Sequence, residues 1–417
     1  MWKKYTVLLF NNKTWIITLQ YMLISCIILA IVISIDTGML SLESYIPAIL
    51  QTKIGLATTI LSALAGALLS MTVFTFSTIM TIVSFYSSNY TASTIDDFVK
   101  SDIVLKVLGI FIGGFFYAVT ALLFMRETYE HDYVIAGSVG VVYALVCVGF
   151  FVRFVQQILY NVQSTNLIKD IYEQALSLIQ EEAEARKQFA RTVPADTCEQ
   201  VPLQAHATGY VSAIHYEELS EALKPLDGIV EIHTRVGDFT VENAAIATLY
   251  VAEPLDDDFH VDDYFVIQDA KIPTVDYQYR KFQLIDITLK SLPPGKADLN
   301  NAIHCIRKLS VLMAELLKTD GRYIEVGEKT DNIIYKVTAT ERELYNTYNQ
   351  IIPAGEQEIS VMLALFDGFY TMKRTATADN AQIITAFAEN VYERVQPHFT
   401  NSLDAQYLKE AFEKVQR

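Results

Sequence analysis

The chain is poor in cysteine and histidine, and its first third is poor in charge. Four cysteines, Cys26, Cys147, Cys198 and Cys305, are scattered over 417 residues with no CxxC pair. Spacing of that kind offers neither a disulfide framework nor a zinc site. Seven histidines are equally dispersed, none in an HExxH, and neither a P-loop nor a GxGxxG occurs. Zinc hydrolysis and phosphate cradling therefore lack their usual motifs. His304 stands beside Cys305 among apolar neighbours, where a satisfied core histidine explains it better than a nucleophile pair. The expectation is a protein that is not an enzyme and uses no cofactor.

The missing charge is more informative. Leu56 to Phe85 is 30 residues without a charged side chain, and Ile103 to Met125 has only Lys106. An uncharged run of roughly 18 residues or more is long enough to cross a bilayer core as a helix. Two further apolar runs flank this pair. Four spans are expected, at about 15–35, 56–85, 103–125 and 133–154, within a membrane domain covering 1–157. Hydrophobic residues make up 52% of the chain and its mean hydropathy is +0.25. Those values suit a membrane part of roughly 150 residues joined to a water-soluble part of about 250.

Lys3, Lys4, Lys13, Lys100 and Arg153 fall at one set of span ends, Lys53 and Arg126 at the other. The positive-inside bias places both termini in the cytoplasm. A reducing compartment agrees with the unpaired cysteines. The net charge of −16, carried mostly by the soluble part, disfavours nucleic acid as a partner. The expected partners are the bilayer, further copies of the chain and an unidentified cytoplasmic protein.

The second span carries Ser70, Ser77, Thr81, Ser84 and Ser88 along one helical stripe, with Thr75 and Thr78 beside it. Hydroxyls in hydrocarbon bond to a carbonyl one turn back or to a neighbouring helix. The plainer reading is a helix-packing face; the sharper one is a hydroxyl-lined path for an ion or small solute. No acidic or basic residue sits mid-span, so a proton relay lacks its usual residue. Gly109, Gly113 and Gly114 in the third span form a small-residue surface for close helix approach, within one chain or between copies.

Beyond the spans the fold expected is α+β. An amphipathic stalk runs over 158–192, continuous with the fourth span, its apolar face stepping through Ile158, Val162, Ile168, Tyr172 and Ile179. A small β-rich module follows over 193–290, entered through a linker at Thr192–Ala205. Its segments are Thr208–Ile214 and Ile229–Thr234 as strands, Tyr216–Leu223 as a helix, a turn at Gly237–Asp238 and a strand at Ala245–Val251. That strand–turn–strand pattern is similar to the turns of biotinyl and lipoyl carrier modules, but the carrier lysine is missing. A mainly helical region closes the chain over 291–417. The cluster Asp256, Asp257, Asp258, Asp262 and Asp263 supplies oxygen ligands for a hard cation. It lacks the glycine and closing glutamate of an EF-hand, so a solvated loop is the simpler reading.

Three blocks carry a resemblance over nearly the whole chain. The first runs from Phe74–Thr75–Phe76–Ser77 through Ser87–Ser88–Asn89–Tyr90, then Val107 to Gly113 and Phe116–Tyr117. The second is Gly209–Tyr210–Val211 with Ile214, then Val236–Gly237–Asp238–Phe239. The third contains Asp276, Asp286, Leu292, Pro294, Gly295 and Asp298. These blocks resemble the bacterial membrane-protein family catalogued as domain of unknown function 2254. The family's Ser-Pro-Arg after Tyr90 is replaced by Thr91–Ala92–Ser93. Pro293, Ala297 and Leu299 replace the serine, asparagine and proline of its Ser-Pro-Gly-x-Asn-Asp-Pro turn. The resemblance implies four spans and a cytoplasmic domain in the bacterial inner membrane, and no established activity. Two functional readings stand: a homo-oligomeric channel or passive transporter with a cytoplasmic regulatory domain, and a membrane-anchored sensor or scaffold whose acidic domain binds a partner.

Overall fold

The computed structural model describes residues 13–37, 47–89, 102–125, 133–188, 199–226, 228–251, 264–269, 276–292, 298–320, 323–325 and 332–417. The chain forms two compact units, Met1–Asn166 and Leu167–Arg417. Among the described residues of the first are four long apolar helices: α1 (Lys13–Asp36), α2 (Ile54–Asn89), α3 (Asp102–Phe124) and α4 (Ala136–Val162). Each holds a stretch long and apolar enough to cross a membrane. Their bounds fall within a few residues of the expected spans, except that α4 runs eight residues past 154. At about 1.5 Å per residue, the 36 residues of α2 reach about 54 Å, well beyond a bilayer core of about 30 Å.

Helix α3 is the hub. It packs against each of the other three, and half of its apolar stretch is buried, against 17–22% in theirs. Its glycines explain why. A Cβ on Gly113 would lie 2.3 Å from Ser25 Oγ, and one on Gly114 2.5 Å from the Tyr143 ring. Only hydrogen leaves room for α1 and α4 at that depth. The Tyr143 hydroxyl shares a hydrogen bond with Ser25 Oγ (2.7 Å) and donates to the Ile110 carbonyl (2.8 Å), so one side chain ties three helices together.

At one end of the bundle, strands β1 (Thr52–Lys53) and β2 (Tyr133–Val134) pair antiparallel. Beside them Asp36, the last residue of α1, accepts hydrogen bonds from the backbone N–H groups of Ile135 (2.8 Å) and Ala136 (3.2 Å). Those are orphan donors at the start of α4, and a carboxylate is a favourable cap for them.

The expected single helix from the fourth span into the stalk is in fact two. Gln163 adopts an extended conformation (φ −77°, ψ 115°) between α4 and α5 (Ser164–Gln188). Asn side chains compete for backbone partners and can interrupt a helix, and here Asn166 Nδ2 donates to the Tyr160 carbonyl that the break exposes (3.1 Å). Periodicity of the apolar face carries across such a break, which is why it was invisible in the pattern.

Among its described residues the second unit forms two sheets. The larger has the order β3 (Glu199–Gln204), β7 (Ala245–Val251), β5 (Ile229–Ile232), β10 (Ile333–Lys336), β9 (Tyr323–Glu325); the smaller is β6 (Phe239–Thr240), β4 (Gly209–Ile214), β8 (Phe265–Gln268). Strand β3 lies in what the sequence read as a linker. Pro202 suggested a loop, but β3 is an edge strand, the one place in a sheet that tolerates a missing N–H. The hairpin β9–β10 is antiparallel, and β10 also pairs in parallel with β5. One sheet therefore draws on both the β-rich stretch and the later helical stretch. Its core contains Val211, Leu219, Leu223, Val230, Ile232, Leu249, Phe265 and Ile333 around the short helix α6 (Tyr216–Leu223).

The helical part comprises α7 (Tyr277–Ser291), α8 (Leu299–Leu316), α9 (Thr340–Tyr348), α10 (Ile351–Gly355), α11 (Ile359–Thr375), α12 (Ala378–Val395) and α13 (Ser402–Gln416). Helix α8 packs against α7 and α11, with Gly368 directly over Ser310. The rings of Tyr348, Phe366, Phe369, Phe387, Tyr392 and Phe412 meet edge-on or stacked in the core between the last helices.

Candidate functional sites

Two places gather the singled-out residues. The first is the outward face of α2. Its inward face is Ala57, Leu61, Leu68, Thr75, Ile79, Ile82 and Tyr86, all buried. Ser70, Ser77, Thr81 and Ser84 each follow one of these by two residues. Two residues are about 200° of helix, so the hydroxyls point away from α1, α3 and α4, and all four are exposed in the isolated chain. Thr78 is half-buried at the margin. Ser70, Thr78 and Thr81 donate to the carbonyls of Gly66 (2.9 Å), Phe74 (2.9 Å) and Ser77 (3.0 Å). Donors satisfied within their own helix leave the oxygens as acceptors on the surface. Thr75 is different: its hydroxyl is buried and makes no hydrogen bond in the described structure.

The glycine surface of α3 faces inward. Gly109, Gly113 and Gly114 are all buried, and the last two meet α1 and α4 of the same chain.

The second place is a cleft of about 260 Å3 in the second unit, between the Val236–Gly237–Asp238 turn and the first two turns of α7. Gly237 has φ +96°, a conformation only glycine adopts without strain, and its N–H donates to the Val211 carbonyl at 2.7 Å. Asp238 fastens the turn by accepting from Arg235 N (2.7 Å), and Asp276 caps α7 by accepting from Tyr279 N (2.7 Å). The second and third sequence blocks thus line one depression. The residues of the third block do not all converge. Asp276 and Asp298 lie at opposite ends of the 15-residue α7, about 22 Å apart along its axis. Asp298 instead caps α8 through Asn301 N (3.2 Å), and its own N–H reaches back to the Ser291 carbonyl (2.9 Å). Asp286 is half-buried within α7. Pro294, Gly295 and the aspartates 256–258 and 262–263 lie outside the described residues.

Behind the cleft is a buried ionic network that no sequence motif announces. Lys281 Nζ donates to Glu343 Oε2 at 2.6 Å, while Glu343 Oε1 accepts from the Tyr277 hydroxyl (3.0 Å) and from Gln278 Nε2 (2.7 Å). Burial by itself would raise the Glu343 carboxyl; the Lys281 ammonium and these hydrogen bonds outweigh it and hold the group below the ordinary carboxylate value. Arg235 lies 6.0 Å from the Tyr277 ring centre and 5.7 Å from that of Tyr335. Its guanidinium is 4.0 Å from Glu182 of α5, which also pairs with Arg186 at 3.0 Å. Burial works against the Arg235 cation, but Tyr277 and Glu182 more than compensate and push its pKa up. Burial likewise raises the hydroxyls of Tyr277 and Tyr335 above the usual phenol range. The Tyr335 and Tyr216 hydroxyls share a hydrogen bond. Charges from α5, the turn, α7 and α9 are thereby joined in one chain of contacts.

Cys305 is fully buried, and burial pushes its thiol up to about 12. At neutral pH it is a protonated core residue. His304 next to it is held below its ordinary value by burial and by Lys308 and Arg307, so the two do not form a thiolate–imidazolium pair.

No curated protein and no solved structure matches the chain. A family model described as a predicted membrane protein matches residues 11–371, which takes in all four apolar helices and most of the second unit. The chain belongs to the DUF2254 family of predicted membrane proteins.

Proposed function

We propose that the protein is a homo-oligomer of the bacterial inner membrane in which the Ser70–Ser84 face of α2 lines a passive path for an ion or small solute. The second unit, on the cytoplasmic side with both termini, acts as its regulator. The observation that carries this reading is the direction of the stripe. Four hydroxyls at 70, 77, 81 and 84 face out of the helix bundle, where lipid alone would favour an apolar surface. Hydroxyl oxygens along a helix facing copies of itself are suited to replace part of an ion's hydration shell. The experiment is flux from liposomes holding the purified protein. Wild type is expected to conduct, and the Ser77→Leu/Thr81→Leu variant to insert normally but conduct at background level. Undiminished flux in that variant removes the stripe from the path.

A second reading, a membrane-anchored sensor or scaffold, is favoured by the cleft beside Gly237 and Asp276 and the charged network behind it. Liposomes silent under several ions and voltages, together with a monomeric mass in detergent, select it.

A further inference from the structure

A second cavity, of about 390 Å3, lies within the second unit, where the last turn of α5, the chain after α8, strand β10 and the starts of α9 and α12 meet. Two cations line it. Arg186 is only 5% exposed, and its Nη2 donates to Glu182 at 3.0 Å. Its Nε–H is buried without a hydrogen-bond partner among the described residues, a costly state for a donor. Lys336, the last residue of β10, is exposed and makes no ion pair among the described residues. Ala339 stands at the N-cap of the nine-residue α9, where it has no side chain to cap with. The first N–H groups of that helix are therefore left open beside the cavity, with the positive end of its dipole. The wall itself is fixed by Asn380, buried at the start of α12. It accepts from the Thr340 hydroxyl (2.6 Å) and donates through Nδ2 to the carbonyls of Leu317 (3.0 Å) and Thr319 (3.3 Å).

A buried guanidinium with a donor to spare, a lysine and an uncapped helix start are the groups that hold a phosphoryl group. Two carboxylates, Asp320 and Asp379, share the lining and would repel a bare anion. Asp320 already accepts from the Thr377 hydroxyl. Ionised carboxylates only accept, so this pair suits hydroxyl donors on the remainder of a ligand. The volume is that of a site for a small molecule. We propose that the cavity binds a soluble phosphate monoester whose organic part carries hydroxyl groups. Arg186, Lys336 and the start of α9 hold the phosphate, and Asp379 accepts from a hydroxyl. The site is separate from the stripe on α2 and from the cleft beside Gly237, so it depends on neither reading above.

The test is calorimetric titration of the full chain in detergent with ribose 5-phosphate, inorganic phosphate and ribose. The ester is expected to bind tightest, inorganic phosphate more weakly and ribose not at all. Arg186→Gln and Lys336→Met each weaken the ester about tenfold. Lys336 is exposed, so its replacement leaves the thermal midpoint unchanged and keeps the test clear of misfolding. Lys409→Met, an exposed lysine of α13 that does not line the cavity, leaves binding unchanged. Asp379→Asn removes a repulsion together with an acceptor. It tightens inorganic phosphate about threefold and loosens the ester, so the preference between the two collapses. A merely structural role for Asp379 would not move the two probes in opposite directions. Silence with all three probes, or ester binding that Lys336→Met leaves intact, overturns the site. Equal affinity of wild type for ester and inorganic phosphate overturns the hydroxyl-bearing ligand. Ester binding lost on exchange of detergent for nanodiscs of anionic phospholipid hands the cavity to lipid headgroups and overturns the soluble one. None of these results bears on whether the liposomes conduct.

Discussion

Lys281 and Glu343 meet at 2.6 Å although 62 residues separate them in sequence, and neither side chain reaches solvent. A pair so placed joins α7 to α9 and closes the back of the cleft. Removing one partner strands the other as a buried charge. Lys281→Met and Glu343→Leu are each expected to destabilise the second unit by about 3–5 kcal/mol, whereas the double replacement stays within about 1–2 kcal/mol of wild type. Denaturant unfolding of the four proteins in detergent measures this. Equal losses in single and double variants would show that the two residues act separately.

The same pair fixes a pH dependence. Glu343 has a folded pKa below the ordinary 4.5, so the folded state binds its proton less readily than the unfolded chain. Its contribution is complete above about 4.5 and fades as pH falls through the lower folded value. Thermal midpoints of wild type should drop in that acid range. Glu343→Gln should flatten this part of the profile, with no change of slope near neutrality.

Gly113 is expected to tolerate no side chain. Alanine there meets Ser25 Oγ at 2.3 Å, and overpacking of this kind costs about 1–3 kcal/mol. Adding Ser25→Ala should recover part of that loss. Gly149→Ala, where a Cβ meets nothing within 4 Å, should be neutral. Heat-induced unfolding in detergent, followed by tryptophan fluorescence or by aggregation, ranks the three variants against wild type.

Asp36→Ala removes the acceptor for two N–H groups at the start of α4. The expected cost is about 1–2 kcal/mol, with Asp36→Asn intermediate because it keeps an acceptor but loses the charge. Faster amide exchange at Ile135 and Ala136 is the local signature to look for.

Cys305, buried and with its thiol near 12, should resist maleimide at pH 8 until the chain is unfolded. Peptide mapping before and after denaturant decides the point. Rapid native labelling at that position would contradict the packing of α8 against α7 and α11.

The four long apolar helices were legible because 30 consecutive residues without charge are long enough to cross a bilayer core as a helix, and further apolar runs stand on either side. Helix α6 and strand β7 match the residues expected, since sharp turn chemistry bounds both. What stayed hidden depends on distance along the chain. Glu182, Arg235, Tyr277, Lys281 and Glu343 are ordinary charged or aromatic residues in separate segments, and only the fold collects them. The nearest hint is Tyr277 and Lys281 one helical turn apart, just after the cap at Asp276. The parallel pairing of β10 with β5, about 100 residues earlier, likewise has no local signal. The break at Gln163 was missed because the apolar period continues through it.

Placing the hub third has a consequence for biosynthesis. Helices α1 and α2 leave the ribosome before α3, their common neighbour, exists. At about 5–20 residues per second, the 66 residues from Asp36 to Asp102 leave α1 waiting several seconds, and the cap Asp36 provides waits longer still for α4. During that interval the newborn helices have mostly lipid for company, so an insertion factor able to shelter unassembled spans would act on this chain at its most exposed moment.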